Sequence, residues 1–259
     1  MKQRIFTAVI ALAGLLLVLF AIPAEVAQAI MFAAMVAGAW EWSAFLGASG
    51  RTTRILYLLL IAAALAAVTF LAVDTQVVFK LSLVWWSSAL IWTFFFPTPV
   101  PAAARWISGA LVLLPLYLAL VVLYTTDPML LLFALLIVWV ADSGAFFAGK
   151  MLGRVKLAPK ISPGKTWEGV IGGLVAVVLL TLLRSLWVPT DLGVIVPFCL
   201  AVACLSVVGD LTVSMFKRTA GLKDSGSLFP GHGGVLDRID SLAAALPLFA
   251  LGISFVGLR

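Results

Sequence analysis

Charge is scarce in this sequence. Only 11% of its 259 residues are Asp, Glu, Lys or Arg, against about 25% in an ordinary soluble domain. A soluble helical protein needs a polar face on every surface helix, and so few charges cannot supply them. Cysteine is nearly absent. Cys199 and Cys204 lie five apart in one apolar run, which excludes a disulfide framework or a Cys-rich metal site and leaves them as small packing residues. There is one histidine, His232, so a His/Cys metal centre is not supported. No Pro/Ser-rich linker or low-complexity tail marks off a further domain. No internal repeat shows matching broken helices, which weakens an inverted-repeat transporter. What is abundant is apolar: 64% of residues are hydrophobic and the mean hydropathy is +1.20.

A span needs about 20 apolar residues to cross the hydrocarbon. Nine runs meet that demand, at approximately 5–22, 26–46, 55–73, 77–96, 106–124, 128–148, 169–188, 194–215 and 241–257. The expected fold is therefore all-α: a polytopic transmembrane helical protein of about nine spans. Residues 1–105 would form N-terminal helices, and 106–259 a catalytic region with two polar loops at 149–168 and 216–240. The first run follows Lys2 and Arg4 and precedes Ala27-Gln28-Ala29, the layout of a signal peptide. It is longer than the usual signal core of about 7–15 residues, so a retained helix is expected.

With the N-terminus inside, fourteen of the seventeen Lys and Arg residues fall in inner segments. Lys80, Arg184 and Arg259 fall outside, where the loops carry Glu25, Asp74, Asp127 and Asp191. This obeys the positive-inside rule, so both polar loops face the cytoplasm. The net charge of +6 is a property of those inner segments and does not indicate nucleic acid. Trp40, Trp42, Trp85, Trp86 and Trp106 lie near predicted span ends and read as interfacial anchors. Glu41, between two of them, either lines a cavity or snorkels to the interface.

The most polar stretch is Gly209 to Ser241. It holds His232, four of the eleven carboxylates and four of the seventeen basic residues. Asp210 lies within the eighth run, where a carboxylate costs on the order of 2.5–3.5 kcal/mol unless it meets water, a cation or a partner. Asp237 and Asp240 are three apart and share a helix face. Gly231, Gly233 and Gly234 permit tight turns whose N–H groups can hold an anion. A helix starting after Gly234 would add its N-terminal dipole. Lys217, Arg218, Lys223 and Arg238 supply positive charge for phosphate. Three acids for a hard cation beside a phosphate cradle suit phosphoryl or nucleotidyl transfer, which needs charge neutralisation and positioning above all. His232 is assigned to substrate contact.

The second polar loop begins within the sixth run at Asp142, another acid that is costly in hydrocarbon. Ser162-Pro163-Gly164-Lys165-Thr166 offers two hydroxyls, a glycine and a lysine, a phosphate-gripping turn without the spacing of a P-loop. Glu168 follows. Gly169, Gly172 and Gly173 read as close helix packing, and Arg154 and Lys156 as orienting charges.

Ser214-Met215-Phe216-Lys217-Arg218, Lys223-Asp224-Ser225-Gly226, Leu228-Phe229-Pro230, His232-Gly233-Gly234 and Asp237-Arg238-Ile239-Asp240 together resemble the signature of phosphatidate cytidylyltransferases, the CDP-diacylglycerol synthases. Asp142-Ser143-Gly144-Ala145 and the stretch from Ile161 to Gly169 resemble the same family, so the likeness covers about residues 139–241. The resemblance implies integral membrane enzymes of the inner membrane, working as homodimers, that convert CTP and phosphatidic acid to CDP-diacylglycerol and pyrophosphate. It implies Mg²⁺, with room for a second, monovalent cation beside it. It also implies that Asp210 and Asp237 hold the metal, with Asp240 a direct or indirect ligand and Lys217 beside them. Ser162, Lys165, Thr166, Ser214, Arg218, Lys223, Asp224, His232, Gly233, Gly234 and Arg238 would then contact substrate, and Asp142 and Glu168 would lie close by. The competing readings are a CTP-dependent lipid kinase, which would release CDP, and a cation-coupled transporter.

Overall fold

In hydrocarbon each backbone N–H and C=O must be paired within its own segment, and the apolar runs meet that demand as helices. A computed structural model describes residues 2–47, 50–71, 73–226, 228 and 233–258, the side chains of residues 2–9 and 11 excepted. Among the described residues the chain forms α1 (Lys2–Phe20), α2 (Ala24–Trp42), α3 (Arg51–Phe70), α4 (Thr75–Phe94), α5 (Ala102–Thr126), α6 (Pro128–Leu152), α7 (Trp167–Ser185), α8 (Leu192–Thr219) and α9 (Leu236–Gly252). Each expected run thus has its helix. Seven of them, α2 to α8, are long and apolar enough to cross a membrane. The 17-residue α9 carries Asp237, Arg238 and Asp240 in its first turns and is not among the seven, nor is α1.

Start signals account for several boundaries. Asp74, Asp127 and Asp191 cap α4, α6 and α8 by accepting the backbone N–H of Gln76, Met129 and Gly193. These acids of the expected outer loops therefore satisfy orphan helix donors. Pro128 occupies the first turn of α6, where its missing N–H costs nothing.

One expectation needs correcting. Residues 149–168 do not form a plain loop, because α6 runs on to Leu152 and a short antiparallel hairpin follows. It pairs β1 (Lys156–Ala158) with β2 (Ser162–Thr166). The apolar run was read to residue 148, whereas the helix continues four residues past it. The tryptophans need correcting as well. Trp42 and Trp86 are fully buried, not interfacial. Trp42 packs on Phe45 and Phe216, and its indole N–H donates to the Arg105 carbonyl at 2.8 Å, which lets so large a ring leave water. Trp40 is exposed and lies under the Arg54 guanidinium.

Tertiary contacts gather the α2–α3, α4–α5, α6–α7 and α8–α9 junctions at one end of the bundle. Trp42 and Arg105 tie the first two. Arg218 of α8 donates from Nε to the Ile161 carbonyl in the hairpin turn at 3.1 Å. Ser225, after α8, reaches Glu41 near the end of α2. The glycines of α7 act as packing residues, as expected: a Cβ at Gly173 would press on the Ala141 carbonyl of α6.

Candidate active site

The site is built where α8 meets α9. Asp210 and Lys217 are two turns apart on α8, hence on one face, with Ser214 between them donating its hydroxyl to Asp210 Oδ1 at 3.0 Å. Gly209 lets α9 approach closely, since a Cβ there would collide with the Asp240 carbonyl. That contact brings Asp210 and Asp240 into each other's field.

Lys217 is the hub. Its Nζ lies 2.8 Å from Asp237 Oδ1 and 3.8 Å from Asp240 Oδ2, and the side chains of all three are at most 10% exposed. Asp210 also lies within the field of Lys217. Asp237 Oδ2 accepts the N–H groups of Ser225 and Gly234, both at 2.9 Å. Asp240 Oδ1 accepts the N–H of Ser241 at 2.8 Å. Each buried carboxylate is thus paired or hydrogen-bonded, as burial in low dielectric requires.

The hairpin closes the other side. Lys165 of β2 pairs with Asp210 Oδ2 at 2.6 Å. Asp142 of α6 faces the same place: it lines the cavity with Lys165 and Asp210 and lies within the field of both. Between α6, β2, α7 and α8 lies a cavity of about 450 Å³ whose polar wall includes Asp142, Lys150, Ser162, Lys165, Thr166 and Asp210. An apolar cavity of about 440 Å³ lies behind it, between α4, the hairpin, α7 and α8, and the two share Val170 and Val207.

The expected residues therefore divide. Asp142, Ser162, Lys165, Thr166 and Asp210 line the cavity. Ser214, Lys217, Asp237 and Asp240 lie beside it in one ion-pair network. Other residues hold the scaffold. Thr166 also caps α7 by accepting the Gly169 N–H. Both oxygens of Glu168 accept the Val155 N–H at the hairpin base, and Arg218 fastens the hairpin turn. Gly233 adopts φ +81°, where a side chain would be strained. Lys223, Asp224 and Arg238 are exposed. His232 and Gly231 lie outside the described residues.

Two expectations bear on this geometry. Asp210 and Asp237 were expected to hold a divalent ion, with Asp240 a direct or indirect ligand. Among the described residues no group of three or more acidic, His or Cys side chains forms a metal cage; Asp237 and Asp240 converge on the Lys217 ammonium, and Lys165 pairs with Asp210. Hard carboxylate donors still fit Mg²⁺, which takes one or two carboxylates and completes its shell with water and phosphate oxygens. Second, the N–H groups at the start of α9 were expected to hold a substrate anion. They hold Glu41 instead: Val235 and Leu236 donate to its carboxylate at 3.0 and 2.7 Å. Sequence reasoning left Glu41 undecided, quoted Ser225 within the signature without giving it a role, and gave Ser241 none. The available signal was an acid between two tryptophans at the end of an apolar helix, where it needs water or a partner.

Comparison with known proteins bears on the chain as a whole. A family model described as the cytidylyltransferase family matches residues 2–256. Phosphatidate cytidylyltransferase of Pseudomonas aeruginosa is 42% identical, with 96% of each chain covered. The Haemophilus influenzae protein of the same name is 36% identical over 99% of each. That of Staphylococcus aureus is 47% identical over 46% of each chain.

Proposed function

The chain belongs to the cytidylyltransferase family, and from that premise we propose that it transfers the cytidylyl group of CTP to phosphatidic acid, giving CDP-diacylglycerol and pyrophosphate. The observation that carries the reading is the cavity with Asp142, Lys165 and Asp210 in its wall and the Lys217–Asp237–Asp240 network beside it. A phosphate oxygen of phosphatidic acid attacks the α-phosphorus of CTP. The bond from that phosphorus to the β-phosphate bridging oxygen breaks, and pyrophosphate leaves. The attacking oxygen is already ionised at neutral pH, so no side chain has to activate it. Positioning and charge neutralisation are what the protein must supply.

Lys165 and Lys217 are the ammonium groups nearest the cavity that can exchange a carboxylate for a phosphate oxygen. Asp210, Asp237 and Asp240 are the residues that would hold Mg²⁺. Held there, it would supply charge neutralisation at the phosphates. A soluble nucleotide and a bilayer-embedded lipid must meet at one place, and an apolar cavity with one charged stretch of wall is suited to that. We further propose nine spans with the N-terminus in the cytoplasm, an inner-membrane location with the site on the cytoplasmic face, and a homodimer. The gathering of the basic junctions at one end of the bundle supports the first two.

The test is purified protein in detergent with radiolabelled CTP and phosphatidic acid, with Mg²⁺ or with chelator. Release of pyrophosphate with formation of CDP-diacylglycerol is expected, and its loss on chelation. Release of CDP would instead identify a lipid kinase, and the absence of any CTP turnover would sink the enzyme reading.

A further inference from the structure

Glu41 lies in α2, far in sequence from every motif, and is 6% exposed. Its Oε1 accepts the N–H of Val235 at 3.0 Å and its Oε2 that of Leu236 at 2.7 Å. The Ser225 hydroxyl donates to Oε2 at 3.4 Å. A Cβ at either Gly226 or Gly234 would collide with this carboxylate, so the loop closes tightly on it. Asp237 grips the same two stretches from its own side, through the N–H groups of Ser225 and Gly234. Two carboxylates thus fasten both ends of the segment between Ser225 and Gly234. One belongs to the network around Lys217 and the other does not.

We propose that Glu41 is a positioning residue. It clamps the α8–α9 loop and the start of α9 to α2, and so holds Asp237 and Asp240 in register with Lys217 and Asp210. It does this as a fixed anion at a helix N-terminus, through charge-assisted hydrogen bonds. Gln at this position keeps the shape but turns an N–H₂ toward backbone donors, and Asp is one methylene too short to reach them. The consequence for turnover rests on the cytidylyl-transfer reading; the clamp itself does not.

The test compares wild type, Glu41→Gln and Glu41→Asp, purified in detergent and assayed below their melting temperatures. Trypsin cleavage after the exposed Lys223 is timed in the same samples. Both variants should be cut at least several-fold faster. Their kcat should fall by about 10–100-fold, because a shift on the order of 1 Å at a reacting centre costs that much, while KM for CTP stays within a small factor of wild type. A merely structural role would lower the melting temperature and leave kcat per folded molecule intact. Wild-type cleavage in Glu41→Gln overturns the clamp. A raised KM with kcat intact also overturns the proposal, because it would put Glu41 on the nucleotide. If neither variant folds, Ser225→Ala removes only one hydroxyl of the clamp; it should show the same changes to a smaller degree, and unchanged cleavage there overturns the idea. A wild-type protein with no cytidylyl transfer would sink the functional reading and leave the cleavage result to judge the clamp.

Discussion

Replacing Lys217 with Met removes the one ammonium that Asp237 and Asp240 share. Its Nζ is 2.8 Å from the first and 3.8 Å from the second, and none of the three side chains is more than 10% exposed. Removing one partner of a buried ion pair leaves an uncompensated charge and costs about 3–5 kcal/mol. At about 2–4 °C per kcal/mol for a chain of this size, Lys217→Met should melt about 6–20 °C below wild type. Lys165 makes the shorter contact, 2.6 Å to Asp210, but these side chains are 25% and 28% exposed at the cavity. Water screens such a pair, and Lys165→Met should cost only about 0.2–1 kcal/mol.

The expected order is therefore set by burial and runs against distance. Both variants should lose most turnover, because each lacks a cation that would meet phosphate. A double variant, Lys217→Met with Asp237→Asn, should regain part of the lost stability by removing one orphaned charge. Thermal unfolding in a single detergent, followed by tryptophan fluorescence, measures all four proteins. A Lys217→Met protein melting within about 2 °C of wild type, or a Lys165→Met protein equally destabilised, would refute the reasoning, since the cited burial costs would then not apply here.

Asp210→Asn should fold, because the pair it loses with Lys165 is partly exposed at the cavity and costs only about 0.2–1 kcal/mol. Its turnover should fall at least a hundredfold, on the order of what losing one electrostatic contact in an active site costs, as read by CDP-diacylglycerol formation. Gly209→Val should do the reverse of a clean site mutation. Its Cβ meets the Asp240 carbonyl and Ala244, so α8 and α9 must separate, and both folded yield and activity should drop together.

The helices were legible because hydrocarbon permits little else: an apolar run of sufficient length must close its own hydrogen bonds. Their ends were less so. α6 runs to Leu152 and α8 to Thr219, past the last apolar residue of each run, since a helix can continue into water where the hydropathy signal has gone. The hairpin was hidden by Pro159, Pro163 and Gly164, which punctuate like a loop. Asp142 and Asp210 stood out as charge in the wrong solvent, Asp237 and Asp240 by their spacing, and Lys165 by the turn that carries it. Their partners did not, because sequence places every lysine on phosphate and says nothing of which carboxylate it meets first. Glu41 and Leu236 are 195 positions apart, and no local pattern connects them.

The polar residues of the two loops answer two separate demands. A loop at the end of a helical bundle leaves backbone N–H groups, at helix starts and between elements, that must be satisfied. Here Thr166, Glu168, Glu41 and one oxygen of Asp237 meet that need. Asp142, Lys165 and Asp210 turn instead toward the cavity. Asp237 belongs to both sets, with one oxygen on backbone and the other on Lys217. A ligand that draws Lys217 toward phosphate would therefore act on a carboxylate whose position the loop already fixes. This is why the spacing from Ser225 to Asp237 matters: the segment that presents the acid is also the segment the acid holds in place, and Glu41 holds that segment from the opposite side.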